Sequence, residues 1–308
     1  MNKVITPEGF RTLEEKDLNE ARSLLNDDIK LLEFQEIFRQ NAGSNLLNLS
    51  SELEQISPEP LICIDGSQTK PEFNGKIKTT YISAISANGL IPIPGLIHKD
   101  ETQRIQTTDH RKSGRLVDLV RSDLEYQIIC DIGSKNPHLI VADGSLTHPY
   151  LCLQEMMQLS DEYDFSLLRE ENLEILISLI EDMQLIGITK DTSCTCPEKY
   201  IYSEIPGINL IHHNEICNFL LKPGDLLIDR PNFILREITK FKGIDSSTIK
   251  RVNKLYEVEK EIKTYTYKPR NGTGTVVRFQ MCSRDKNKLL QTLNNLDFDK
   301  TGTVVEPW

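Results

Sequence analysis

Two segments of the chain follow one plan. Ile62-Cys63-Ile64-Asp65-Gly66-Ser67 and Ile140-Val141-Ala142-Asp143-Gly144-Ser145 each carry an apolar run into Asp-Gly-Ser. A short apolar run bounded by turn residues is the pattern of a buried strand, and strands of this type belong to sheets covered by helices. Asp-Gly alone is a common turn dipeptide. Repeated at the carboxyl ends of two such strands, it places aspartates where α/β sheets receive ligands. Unpaired buried carboxylates are costly, and a shared divalent cation removes that cost. The glycines allow a phosphate to approach the backbone closely.

Around these strands the pattern predicts an α/β fold, a mixed sheet flanked by helices, preceded by a helical arm. Residues 12–53 have apolar positions at helical spacing and no proline. Ser57-Pro58-Glu59-Pro60 stops the helix, so the chain divides into an arm at 1–57 and a main domain at 58–308. Strands are expected at 61–65, 79–87 and 90–97, the last two joined by an Asn88-Gly89 hairpin signal. The basic stretch 104–114 has no period and is expected to be a mobile loop. Residues 115–132 form a helix with an apolar stripe at Val117, Val120, Leu124 and Ile128, ended by Gly133. Strands at 138–142, 185–189, 208–212, 226–229, 262–267 and 275–281 alternate with helices at 166–184 and 285–296. No repeat of solenoid length is present.

The helix at 115–132 is the natural source of a third carboxylate. Glu125 borders the apolar stripe, and Asp118 and Asp123 are its rivals. Lys190 ends the strand Leu185-Ile186-Gly187-Ile188-Thr189, where a compact positive charge suits a phosphate.

Bulk properties restrict the alternatives. A composition of 38% hydrophobic and 27% charged residues over 308 positions is that of a globular chain with a sizeable core. No apolar run approaches the roughly 20 residues of a membrane span, and residues 1–32 lack a secretory signal, so a cytoplasmic protein is expected. Seven irregularly spaced cysteines argue against a disulfide framework, and Cys194-Thr195-Cys196 lacks the spacing of a zinc site. A net charge of −10 argues against a protein that coats nucleic acid, but not against an enzyme that holds cations with carboxylates.

Taken in order, Asp65-Gly66-Ser67, the helix segment Arg121 to Glu125, Asp143-Gly144-Ser145-Leu146 and Lys190-Asp191-Thr192-Ser193 resemble the NurA nuclease family, from about residue 60 onward. The resemblance implies an RNase H-like fold and cleavage of DNA dependent on Mn2+ or Mg2+. It further implies 5′ to 3′ exonuclease and single-strand endonuclease activity, a homodimer, and a HerA-type hexameric ATPase as partner in DNA repair or antiviral defence. Carried over residue by residue, Asp65, Glu125 and Asp143 stand at the metal-ligand positions and Lys190 at that of a basic catalytic residue. The likeness departs at Glu306-Pro307-Trp308, where the family continues into a helix with a further carboxylate or histidine. A non-cutting adaptor that binds the ATPase and DNA is the competing class, and an RNase H-like nuclease with another substrate is the second enzyme reading.

Overall fold

The computed structural model describes residues 7–53, 61–88, 97–107, 110–135, 139–146, 148–189, 197–201, 203–205, 207–229, 245–270, 276–282 and 285–297. With elements numbered in chain order, β2 (Leu61–Gln68) runs parallel to β6 (Leu139–Asp143), and β6 runs parallel to β7 (Leu185–Ile188). On the other side β2 pairs antiparallel with β4 (Ile77–Asn88). That strand also takes β5 (Ile97–Thr107) and the short β3 (Glu72–Asn74). Beyond β7 the sheet continues antiparallel through β10 (Val277–Cys282), β9 (Ile262–Tyr267) and β8 (Asp225–Asp229) to β1 (Leu46–Asn48). This is the mixed sheet of an RNase H-like fold.

Strands β6 and β7 are short, apolar and largely buried, as is the first half of β2, whereas β4 alternates because only one of its faces is covered. Helix α4 (His110–Gly133) provides that cover, packing across β2, β4 and β5. Its stripe of Val117, Val120, Leu124 and Ile128 is buried, as its spacing predicts. Helices α5 (His148–Gln158) and α6 (Glu170–Glu181) pack beside it, and α8 (Ser246–Glu259) packs against these two. Among the described residues, no helix is long and apolar enough to cross a membrane. Cys130, Cys152, Cys217 and Cys282 are buried free thiols.

The N-terminal segment differs from the expected arm. It is two helices, α1 (Pro7–Leu25) and α2 (Asp28–Ala42), because Asp27 caps the second by accepting from the Ile29 and Lys30 amides. Their apolar stripe has intrachain cover. Leu25, Phe34 and Phe38 form a second core with Ile201, Ile205, Ile208 and, from α7 (His213–Leu220), Ile216 and Leu220. Strand β1 then enters the sheet beside β8, so the boundary at residue 57 does not separate the helices from the body of the molecule.

Other expectations also shift. The apolar run 208–212 is a 3-10 turn leading into α7, a case where a short run does not distinguish strand from helix. Residues 104–107 belong to β5, and α4 begins at His110 rather than Arg115. The 90–97 strand falls largely outside the described residues. Helices α5 and α8 were not read from the sequence.

Candidate active site

Parallel register aligns Cys63 with Val141 and Ile64 with Ala142, so Asp65 and Asp143 stand side by side at the carboxyl ends of β2 and β6. Both are partly exposed. Residues two apart on a strand share a face. Asp65 therefore shares the face of Cys63 and Ser67, opposite the Ile62, Ile64 and Gly66 face that meets α4. Glu125 approaches from that helix side. A Cβ at Gly66 would lie 2.1 Å from Glu125 Oε1 and 2.9 Å from Arg121 Cγ. The missing side chain of Gly66 thus leaves the space beside α4 that the Glu125 carboxylate fills.

Burial pushes Glu125 up to about 7; Arg121 opposes the rise, while Asp65 and Asp143 add to it. Arg121 Nε lies 3.6 Å from Glu125 Oε1 and makes no hydrogen bond among the described residues. The rival acids are placed elsewhere. Asp123 is buried and accepts from the Ser166 amide at 2.9 Å and the Leu167 amide at 2.8 Å, fixing the turn that precedes α6. Asp118 is exposed and lines a cleft of about 820 Å³ between α4 and α5, shared with Arg115, Leu151 and Glu155. Lys190 lies outside the described residues, as do residues 191–196 with their close cysteine pair.

The loop after Asp143 is held by groups the sequence does not announce. Gly144 adopts φ +132°, and its amide donates to Ile188 O at 2.8 Å. A Cβ on Gly187 would stand 2.3 Å from Gly144 O, so the bare strand lets the loop lie against it. Gln280 on β10 is fully buried. Its Oε1 accepts from Ser145 Oγ at 2.8 Å and from the Leu146 amide at 2.9 Å, and its Nε2 donates to Thr264 Oγ1. No motif points to a glutamine more than a hundred residues away. Glu259 acts similarly one turn on, accepting the Tyr150 amide near the start of α5, with burial holding its carboxyl well above the usual range.

Three carboxylates are hard oxygen donors of the kind Mg2+ and Mn2+ select. Their mutual repulsion at Glu125 is a condition that a cation would relieve. Among the described residues, no three His, Cys, Asp or Glu side chains stand close enough together to enclose an ion. The donor chemistry therefore fits, while the carboxylates are not drawn into a closed shell.

No family model and no curated protein matches the chain. Solved structures do. The NurA nuclease from Sulfolobus solfataricus aligns with a TM-score of 0.53 at 13% identity, over 90% of this chain and 84% of that one. A structure of NurA with manganese gives 0.51 at 12%, over 94% and 90%. NurA bound to dAMP and manganese gives 0.50 at 12%, over 96% and 90%. At such identities the likeness is one of fold.

Proposed function

We propose, with the NurA-type fold as premise, that this chain is a divalent-metal-dependent deoxyribonuclease hydrolysing phosphodiester bonds at Asp65, Asp143 and Glu125. The observation that carries the reading is the register of two Asp-Gly-Ser strands, which sets two carboxylates side by side while a third approaches over Gly66. A NurA structure that holds dAMP and manganese supports the same chemistry on the same fold.

Asp65 and Asp143 would hold the cation, with Glu125 completing the set. A bound divalent ion supplies a water of lowered pKa and a countercharge for the leaving oxygen. The protein's own part is positional. Gln280 and the Ile188 carbonyl fix the Asp143 loop, and Arg121 partly offsets the charge of Glu125. Lys190 is proposed to neutralise the scissile phosphate. The finer reading includes 5′ to 3′ exonuclease and single-strand endonuclease action, a homodimer and a HerA-type ATPase partner. Ile29 and Leu32 on α2 are among the exposed large hydrophobic residues and offer apolar surface for a contact with a second copy.

The test is cleavage of single-stranded DNA with Mn2+, with chelator, and with Asp65→Ala or Asp143→Ala. Each variant should cut below detection yet keep or gain thermal stability without metal. Full activity in either variant would remove the assignment. A second reading, a non-cutting adaptor, is favoured by the open arrangement of the carboxylates and the Arg121 to Glu125 contact. It predicts DNA binding without metal-stimulated cleavage.

A further inference from the structure

The sheet face that carries Asp65 continues outward over β2, β4 and β5 without a helix of the α4 layer upon it. Asp65 pairs with Ile85 and Ser67 with Ser83, while on the other side of β4 Ser83 faces Thr102 and Tyr81 faces Arg104. Alternation places all of these side chains on the face away from α4. Ile82, Ala84 and Ile105, which point the other way, are buried. On the open side Ser67, Thr102 and Arg104 are exposed, and Tyr81 is 39% exposed despite its size.

The row has an ordered chemistry. Next to Asp65 lies a floor of small hydroxyls, with Ser67 Oγ and Ser83 Oγ 2.8 Å apart. Beyond it an aromatic ring and a guanidinium stand directly opposite each other. Among the described residues no carboxylate pairs with Arg104. From Ser83 outward the face carries Thr102, Tyr81 and Arg104, and its far end carries Glu72, which lies opposite Thr79. A polar floor that carries an exposed aromatic opposite an exposed arginine suits an unpaired nucleotide strand. Bases stack on aromatic faces regardless of sequence, and Arg takes phosphate.

We infer that the open face of β2, β4 and β5 is a track for single-stranded DNA leading to Asp65, with Tyr81 stacking on a base and Arg104 holding a phosphate. The inference rests on the nuclease reading for its direction but not for its test. At a strand rise of about 3.4 Å, Tyr81 stands roughly 14 Å from the Asp65 position, so only strands longer than the reacting nucleotides reach it.

The experiment is fluorescence anisotropy of labelled oligothymidylates of about 4 and about 16 nucleotides. It is run in chelator on the full chain, on Tyr81→Ala, on Tyr81→Phe and on Arg104→Ala, with circular dichroism to check folding. Tyr81→Ala should bind the longer strand roughly 5- to 100-fold more weakly, with the shorter one little changed. Tyr81→Phe should retain affinity, and Arg104→Ala should flatten the salt dependence by about one phosphate contact. Equal binding by wild type and Tyr81→Ala would overturn the track, as would a loss traced by light scattering to altered self-association. If the chain never cuts DNA but Tyr81→Ala loses the longer strand, the track stands and the nuclease reading falls. Metal-dependent cutting with an unchanged KM in Tyr81→Ala gives the reverse.

Discussion

Glu125 rests against Gly66 with its acidity weakened to about pH 7 by burial and by Asp65 and Asp143. Its folded pKa lies above the ordinary value of 4.5, so the fold favours the protonated form. The metal-free protein should therefore lose stability as pH rises from about 4.5 to about 7. Glu125→Gln should remove this loss, on the order of 1–3 kcal/mol at pH 8 and nothing below pH 4.5. Thermal melts in chelator across that range check it, and parallel melting curves at every pH would contradict it. Gln280→Leu should leave the Ser145 hydroxyl and Leu146 amide without their buried acceptor, costing about 1–3 kcal/mol. Calorimetric titration with Mn2+ should then show weakened binding, while Gln280→Glu, which keeps the acceptor, should recover part of it. Unchanged Mn2+ affinity in Gln280→Leu would separate β10 from the site. The two aspartates were legible because local sequence alone, an apolar run into Asp-Gly-Ser, encodes both strand and turn. Gln280 was not, since its role depends wholly on which strands meet.

Among the elements, α2 shows how a stripe legible in sequence can be assigned the wrong partner. The spacing of Phe34 and Phe38 marks an amphipathic helix, but nothing local says that α7 and the 3-10 turns around Ile201 and Ile208 cover it. Phe38 is fully buried and meets Tyr200 edge to face at 5.5 Å. Phe38→Ala should cost about 3–5 kcal/mol in chemical denaturation, as for other large core truncations. A cost under about 1 kcal/mol would mean that α2 is only loosely docked. The break between α1 and α2 was readable at Asp27, and α8 has a comparable signal in Asp245, which accepts from the Ser247 and Thr248 amides. The Val252, Leu255 and Val258 stripe of α8 lies among many polar residues, so the segment read as a polar stretch.

For the whole molecule the controlling quantity is charge. At −10 the long-range field gives little attraction for a polyanion beyond about 8 Å at physiological salt, so capture of duplex DNA from solution should be poor. Basic clusters at 104–115 and 240–254 would grip a strand already delivered better than they would recruit one. Cleavage of linear duplex should therefore rise sharply when a HerA-type ATPase and ATP are added. Equal rates with and without them at physiological salt would sink this dependence.

The place of β10 in the sheet has a consequence for the order of synthesis. It lies between β9 and β7, so among the described strands it joins the strip β1-β8-β9 to the strip β7-β6-β2-β4, and it is the last of them to leave the ribosome. Until residues 277–282 emerge, the two strips have no common neighbour, and Gln280 is not there to take up Ser145 and Leu146. A growing chain thus carries both aspartates long before the loop behind Asp143 can be fastened. The centre is fastened only once β10 has been made, so on the nuclease reading a chain that stops short of it would leave the DNA around it uncut.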